Sequence, residues 1–315
     1  ALLNKVGAEV SVGQAIGMRD ETAAKGFATH NITLSLLISA IWASILFLLA
    51  TPIISIYELE SHIADHATNY LRIVSTAFPF VFMSAAFTGI FNAGGRSKIP
   101  FTINGIGLAI NMILDPLFIF VFDWDTNGAA WATWIAQACV FTLFIHQLKF
   151  KKILWDDFRF FGRLKRIYTT KIFKIGLPVA TLNALFAFVN MFLGRTASTV
   201  GGHIGLMAMT TSGQIEAITW NTSQGFSTAL SAFVAQNYAA KKVSRVMKAL
   251  KSTLFMTLIF GIFCSLLFIF YGNNIFAIFV PEQEAYEAGG LALRIDGYSQ
   301  LFMMLEIVTQ GVFYG

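Results

Sequence analysis

The sequence predicts an all-α, polytopic transmembrane helix bundle built from two pseudo-symmetric halves, and three observations carry that prediction. Apolar residues make up 56% of the 315-residue chain and charged residues 12%, with a mean hydropathy of +0.66. A soluble globular domain carries about 25% charged residues, so lipid must solvate much of this surface. Eight apolar segments, each long enough at roughly 20 residues to cross a bilayer, alternate with polar connections. The chain also echoes itself at a fixed offset of 222 residues. Leu71-Arg72-Ile73 recurs as Leu293-Arg294-Ile295, and Gln14, Phe80, Gly89 and Phe91 recur as Gln236, Phe302, Gly311 and Phe313. Arg is scarce inside hydrophobic spans, which makes the ungapped triplet informative. Six spans separate the copies, so both face the same way, related by an axis along the membrane normal.

In chain order the spans are expected at 29–57, 67–93, 99–122, 128–148, 172–194, 204–236, 249–280 and 288–315. Pro79, Pro116 and Pro178 interrupt three of them, which membrane helices tolerate. The runs are too long for strands and show no period-two alternation. Residues 1–17 resemble the end of a further span. With no initiator Met or signal-like start, and a second copy that stops partway, the sequence reads as a fragment in which both halves are incomplete.

Charge in the connections sets the expected topology. Lys5, Arg19 and Lys25 precede the first full span, and Arg96 and Lys98 follow the second. Lys149, Lys151, Lys152, Arg159, Arg163, Lys165, Arg166, Lys171 and Lys174 follow the fourth; Lys241, Lys242, Arg245, Lys248 and Lys251 follow the sixth. Nineteen of the 22 Lys and Arg thus fall on one side. The opposite connections hold Glu58, Glu60, Asp65, Asp123, Asp125, Glu282, Glu284 and Glu287, with Arg195 the one clearly external basic residue. The positive-inside rule makes the basic side cytoplasmic and the chain a multi-pass protein of the cytoplasmic (inner) membrane. The net charge of +5 therefore reports topology and not nucleic-acid binding.

Residues 1–148 form the expected N-terminal bundle, 149–171 a basic cytoplasmic linker, and 172–315 the C-terminal bundle. Trp155, Phe158, Phe160 and Phe161 would let the linker lie on the leaflet as an amphipathic segment; a plain solvated connection is the alternative. Cys139 and Cys264 fall inside spans as small hydrophobes. His30, His62, His66, His146 and His203 sit mostly in loops or at span ends without evident metal-ligand geometry. No catalytic constellation is legible, so the chain is not read as an enzyme.

Four acids inside the spans are the candidates for chemistry: Asp115, Glu216, Asp296 and Glu306. Each costs roughly 2.5–3.5 kcal/mol at a helix centre, so such residues face a cavity or a partner. Asn111 shares a helical face with Asp115, Pro116 follows directly, and Thr133 can add a hydroxyl from the next span. These hard oxygens suit a small cation such as Na⁺, or the carboxylate can carry a proton; alternatively Asn111 and Asp115 are polar glue between helices. Glu216 sits among Gln214, Thr219, Asn221 and Gln224, a polar stripe that reads as a wet cavity wall or as glue. Glu306 lies within its span and can hold a proton or a cationic ligand. Asp296, two residues after Arg294, is expected to ion-pair or snorkel near the outer end.

The stretch Phe91-Asn92-Ala93-Gly94-Gly95-Arg96, then Pro100, Asn104, Gly107, Asn111, Asp115-Pro116 and Gly128-Ala129-Ala130, resembles the multidrug and toxic compound extrusion (MATE) family. So do the segment endings Gly13-Gln14 and Val234-Ala235-Gln236-Asn237-Tyr238-Ala239. The resemblance implies two six-helix bundles forming a V-shaped exporter driven by Na⁺ or H⁺, and makes the eight spans helices three to ten. In one branch of that family, an acid in helix one and an Asn-x-x-x-Asp pair in helix five hold the cation. Helix six adds a Thr and a small residue four positions before it. Asn111 and Asp115 match the pair, and Ala129 and Thr133 match the helix-six positions. Another branch uses an acid in helix seven, which 172–194 lacks, and a helix-ten acid at the position of Met303, near Glu306. The expected activity is secondary antiport of amphipathic or cationic drugs in exchange for Na⁺ or H⁺. The coupling ion is the sole cofactor, and a monomer in contact with lipid and small-molecule substrates, without nucleic acid, does the work. The alternatives are a lipid-linked oligosaccharide flippase, which would line its cavity with Arg or Lys, and a non-transporting membrane scaffold.

Overall fold

A computed structural model describes residues 1–55, 61–151, 154–155 and 157–315. Glu58, Glu60 and Lys152 of the charge pattern lie outside the described residues. The chain is all-α, with no strand among the described residues. Its helices are α1 (Leu2–Gly17), α2 (Glu21–Leu48), α3 (Ala50–Ser55), α4 (Ser61–Ala93), α5 (Lys98–Pro116), α6 (Asp125–Ile145), α7 (Arg166–Ala239), α8 (Val243–Phe279) and α9 (Gln283–Tyr314). Single π-helical turns, Leu117–Val121 and His146–Phe150, continue α5 and α6.

Six helices among the described residues are long and apolar enough to cross a membrane: α2, α4, α5, α6, α7 and α8. The expected spans 172–194 and 204–236 both fall within α7, which breaks at Gly202 (φ 58°, ψ −146°). That left-handed backbone is one only glycine adopts without strain. Large apolar side chains face outward along these helices; Phe101 is 81% exposed and Ile278 78%. Such surfaces are stable where lipid is the solvent.

The chain divides into two compact units, Ala1–Leu177 and Pro178–Gly315. In the first, α1 is buried along most of its length, so its small residues (Gly7, Ala8, Ser11, Gly13, Ala15) let neighbours approach closely. Gly89 of α4 rests on the Lys5 carbonyl, with no room for a Cβ. Phe27, Ile32, Phe87, Ile90, Phe91, Phe144 and Ile172 fill the surrounding core. Three of the four aromatic residues after α6, expected to face the leaflet, pack into protein, whereas Phe161 is 53% exposed. Trp155 is buried in that core, Phe158 and Phe160 lie against it, and the Thr29 hydroxyl donates to the Arg159 carbonyl at 2.6 Å. Burying those rings inside the unit removes more apolar surface from water than a flat interfacial pose.

In the second unit α8 packs on α9 around Phe268, Phe276 and Leu293. Leu230 and Val234 of α7 pack with Val246 and Val308. Gly311 of α9 rests on the Ser227 carbonyl.

The turns that start α2 and α8 have the same construction. α1 ends at Gly17 and α7 at Ala239; α2 begins at Glu21 and α8 at Val243; α4 begins at Ser61 and α9 at Gln283. Arg19 (φ 60°) and Lys241 (φ 59°) hold the left-handed position after each helix end. Asp20 N–H donates to the Ala15 carbonyl and Arg19 N–H to Ile16; Lys242 N–H donates to Asn237 and Lys241 N–H to Tyr238. Each is a Schellman cap, satisfying carbonyls that the helix end leaves unpaired.

Candidate functional site

The candidate residues of the first unit lie on α5 and α6, which pack against each other. Gly107 of α5 sits against Val140 of α6, and Gly128 of α6 sits against the Phe118 backbone, 2.8 Å from its carbonyl carbon to an added Cβ. Between these two contacts stand Asn111 and Asp115 on one helix and Ala129 and Thr133 on the other, all partly buried. Asn111 Nδ2 donates to Asp115 Oδ1 at 3.0 Å, the i, i+4 contact that helical spacing allows. No basic side chain among the described residues lies within ion-pair distance of Asp115. Pro116 has no N–H to give the Met112 carbonyl, and the backbone then widens into the π turn Leu117–Val121. Such turns cluster at functional sites. A carboxylate with its amide partner beside a loosened backbone offers hard oxygen donors on one helix face.

The candidates of the second unit are arranged differently. Glu216 of α7 and Asp296 of α9 come close enough for their charges to repel. The expected Asp296–Arg294 ion pair does not form among the described residues, because residues two apart project from different faces of a helix. The polar stripe of α7 splits. Thr219 is buried and accepts from Gln300 Nε2 of α9, while the Ser223 hydroxyl donates to the Thr219 carbonyl at 2.9 Å. The Thr219–Gln300 bond is glue between α7 and α9, whereas the Ser223 bond stays within α7. Glu216 and Gln224 are half-buried. Glu306 is exposed on α9, accepting from Gln310 Nε2 at 3.0 Å, and Gln310 accepts from the Tyr314 hydroxyl at 3.1 Å.

One acid was missed by the reading of the sequence. Glu9 of α1 is 3% exposed, hydrogen-bonded to Asn92 of α4 and attracted by Lys5 one turn earlier. Its Oε1 has no partner. The signal was an acid inside the small-residue run 6–16. The residue 222 positions on is Ser231, so the duplication does not demand an acid here. Among the described residues, no group of three or more His, Cys, Asp or Glu side chains gathers to hold a metal.

A family model described as MatE matches residues 1–117 and 178–315. The chain belongs to the MatE family. Its relatives include "Probable multidrug resistance protein YoeA" of Bacillus subtilis, 24% identical over 94% of this chain and 65% of the relative. "Probable multidrug resistance protein NorM" of Thermotoga maritima is 23% identical over 98% of this chain and 67% of its own. "Multidrug export protein MepA" of Staphylococcus aureus is 22% identical, with coverages of 97% and 69%. This MatE chain thus spans about two thirds of the length of these relatives. Among solved structures, one described as the outward-facing conformation of a multidrug resistance MATE family transporter superposes with a TM-score of 0.89. It is 20% identical, covering all of this chain and 71% of the other. A MATE in complex with MaD3S matches at 0.89, 19% identical, over 99% and 70%. At such identities the structures establish the fold.

Proposed function

We propose that this MatE chain acts as a secondary antiporter, exporting amphipathic cationic compounds across the cytoplasmic membrane in exchange for Na⁺ or H⁺. Asn111 and Asp115 of α5 bind the coupling cation, and Thr133 and Ala129 of α6 complete the pocket. The observation that carries this reading is the Asn111–Asp115 pair, held ready without a basic partner beside the Pro116 break. The names of the multidrug resistance and export relatives support the substrate class. A cation bound to one conformation better than another shifts the balance between them, by as much as its differential affinity and no more. Glu216, Asp296, Glu306 and Gln224 supply acceptor groups that favour a cationic substrate or proton. An anionic lipid flippase would need basic groups there, and the intramembrane Arg72 and Arg294 sit near the outer ends of their spans.

The matching caps at Arg19 and Lys241, with Gly89 on Lys5 and Gly311 on Ser227, support a duplication of α1–α2–α4 as late α7–α8–α9. The basic connections face the cytoplasm in this reading, and the protein works as a monomer. Dye efflux from cells expressing the Asp115→Asn variant tests the proposal. Efflux should fall to the level of cells without the transporter, whereas undiminished gradient-dependent efflux removes Asp115 from the mechanism.

A further inference from the structure

We propose that His62 and His66 form a two-histidine site for a divalent transition-metal ion of the zinc class, on the first turns of α4. The two residues stand i, i+4 on one helix, so both rings project from the same face. Their Nε2 atoms lie 3.2 Å apart, with ring centroids 4.5 Å apart and planes inclined at 59°. Two imidazole nitrogens bound tetrahedrally to one Zn²⁺, each at about 2.0–2.1 Å, stand about 3.3 Å from each other. The observed separation is close to that value, so modest rotations of the two rings would aim both lone pairs at one ion.

A second contact orients one ligand. Thr126 Oγ1, on the first turn of α6, lies 3.4 Å from His66 Nδ1. A metal-bound histidine ordinarily donates its other ring N–H, which fixes tautomer and ring plane. With Nδ1–H given to Thr126, His66 Nε2 carries the lone pair, which accepts from His62 Nε2–H until an ion takes the place of that proton. His62 is exposed and His66 half-buried, so the ion arrives from solvent and water fills the remaining positions. Asp65, between the two histidines, and Asp125, next to Thr126, are exposed acids that attract a cation to this end of the molecule. Imidazole pairs suit Zn²⁺, Cu²⁺ and Ni²⁺, and hard ions such as Mg²⁺ prefer oxygen donors. The site is independent of the Asp115 pocket. Because Thr126 belongs to α6, metal held by His66 would also reinforce the contact of α4 with α6.

The test is isothermal titration of detergent-purified, tag-free protein with zinc chloride and, separately, magnesium chloride. Wild type, His62→Ala, His66→Ala, the double variant and Thr126→Ala are compared, with size-exclusion chromatography checking that each folds. One zinc equivalent should bind to wild type, either single histidine variant should lose roughly tenfold or more in affinity, and Thr126→Ala should lose less. Magnesium should give no saturable heat. Zinc affinity unchanged in the double variant would place the ion elsewhere and overturn the proposal. So would absence of saturable zinc binding to wild type, which would leave the histidines as a mutual hydrogen-bonded pair.

Discussion

Replacing Gly89 and Gly311 by alanine tests the packing of both units with one pair of variants. A Cβ at Gly89 would overlap the Lys5 carbonyl oxygen and come within 3.1 Å of Ala8 Cβ and 3.2 Å of the Glu9 nitrogen. At Gly311 it would stand 2.5 Å from the Ser227 carbonyl oxygen and 2.8 Å from its Oγ. The obstructing carbonyl oxygens of Lys5 and Ser227 belong to helix backbone, which cannot rotate aside as the Ser227 hydroxyl can, so the helices must separate. Overpacking of this kind costs about 1–3 kcal/mol. The better helix propensity of Ala returns about 0.5–1 kcal/mol. Each variant should therefore lose up to about 2.5 kcal/mol, and about 1–3 kcal/mol relative to an alanine placed at an open helical glycine. Gly105 and Gly225 have nothing within 4 Å, so their alanine variants should be neutral or slightly stabilised. Thermal unfolding in detergent, followed by size-exclusion chromatography, reads all four. The pattern should be two variants lowered and two not. Gly89→Ala as stable as Gly105→Ala would mean that α1 and α4 are not in the close contact described. Opposite signs at Gly89 and Gly311 would count against duplication.

Other outcomes follow from individual sites. Glu9→Gln keeps the volume and the Asn92 bond, so its unfolding midpoint should correspond to a change within about 1 kcal/mol. Glu9→Ala should lose about 2–3 kcal/mol through the cavity and the stranded amide. Arg19→Gly and Lys241→Gly relieve left-handed backbone and should each raise stability by about 0.5–1 kcal/mol in the same assay. In a background with Cys139 and Cys264 replaced, a membrane-impermeant maleimide added to intact cells should label Asp123→Cys and Glu282→Cys. It should leave Lys98→Cys and Lys241→Cys unlabelled until the membrane is opened; the reverse pattern would invert the topology.

Hydropathy located the lipid-solvated part of each helix but not the helix itself. The second span was expected from residue 67, yet α4 begins at Ser61, because a helix continues past the bilayer into water where its residues are polar. That extra turn and a half holds His62 and His66, and without it their i, i+4 relation is only a spacing. The two spans expected at 172–194 and 204–236 are two helices that meet at the non-helical Gly202, inside the polar stretch 195–203 expected to connect them. The Asn111–Asp115 contact was legible because it depends on helical period alone. The approach of Glu216 to Asp296 was not, since it needs two helices 80 residues apart in sequence to pack side by side. Glu9 was overlooked because its run read as a span's tail, and burial depends on the neighbours α4 brings.

The decisive experiment is to reconstitute the protein and its Asp115→Asn variant in liposomes and record ion entry together with export of a cationic dye. Under an imposed Na⁺ or proton gradient, the normal protein should move ion inward as dye leaves, and the variant should bind dye without either flux. If the variant exports dye at the normal rate with the same gradient dependence, the coupling ion does not sit at Asp115.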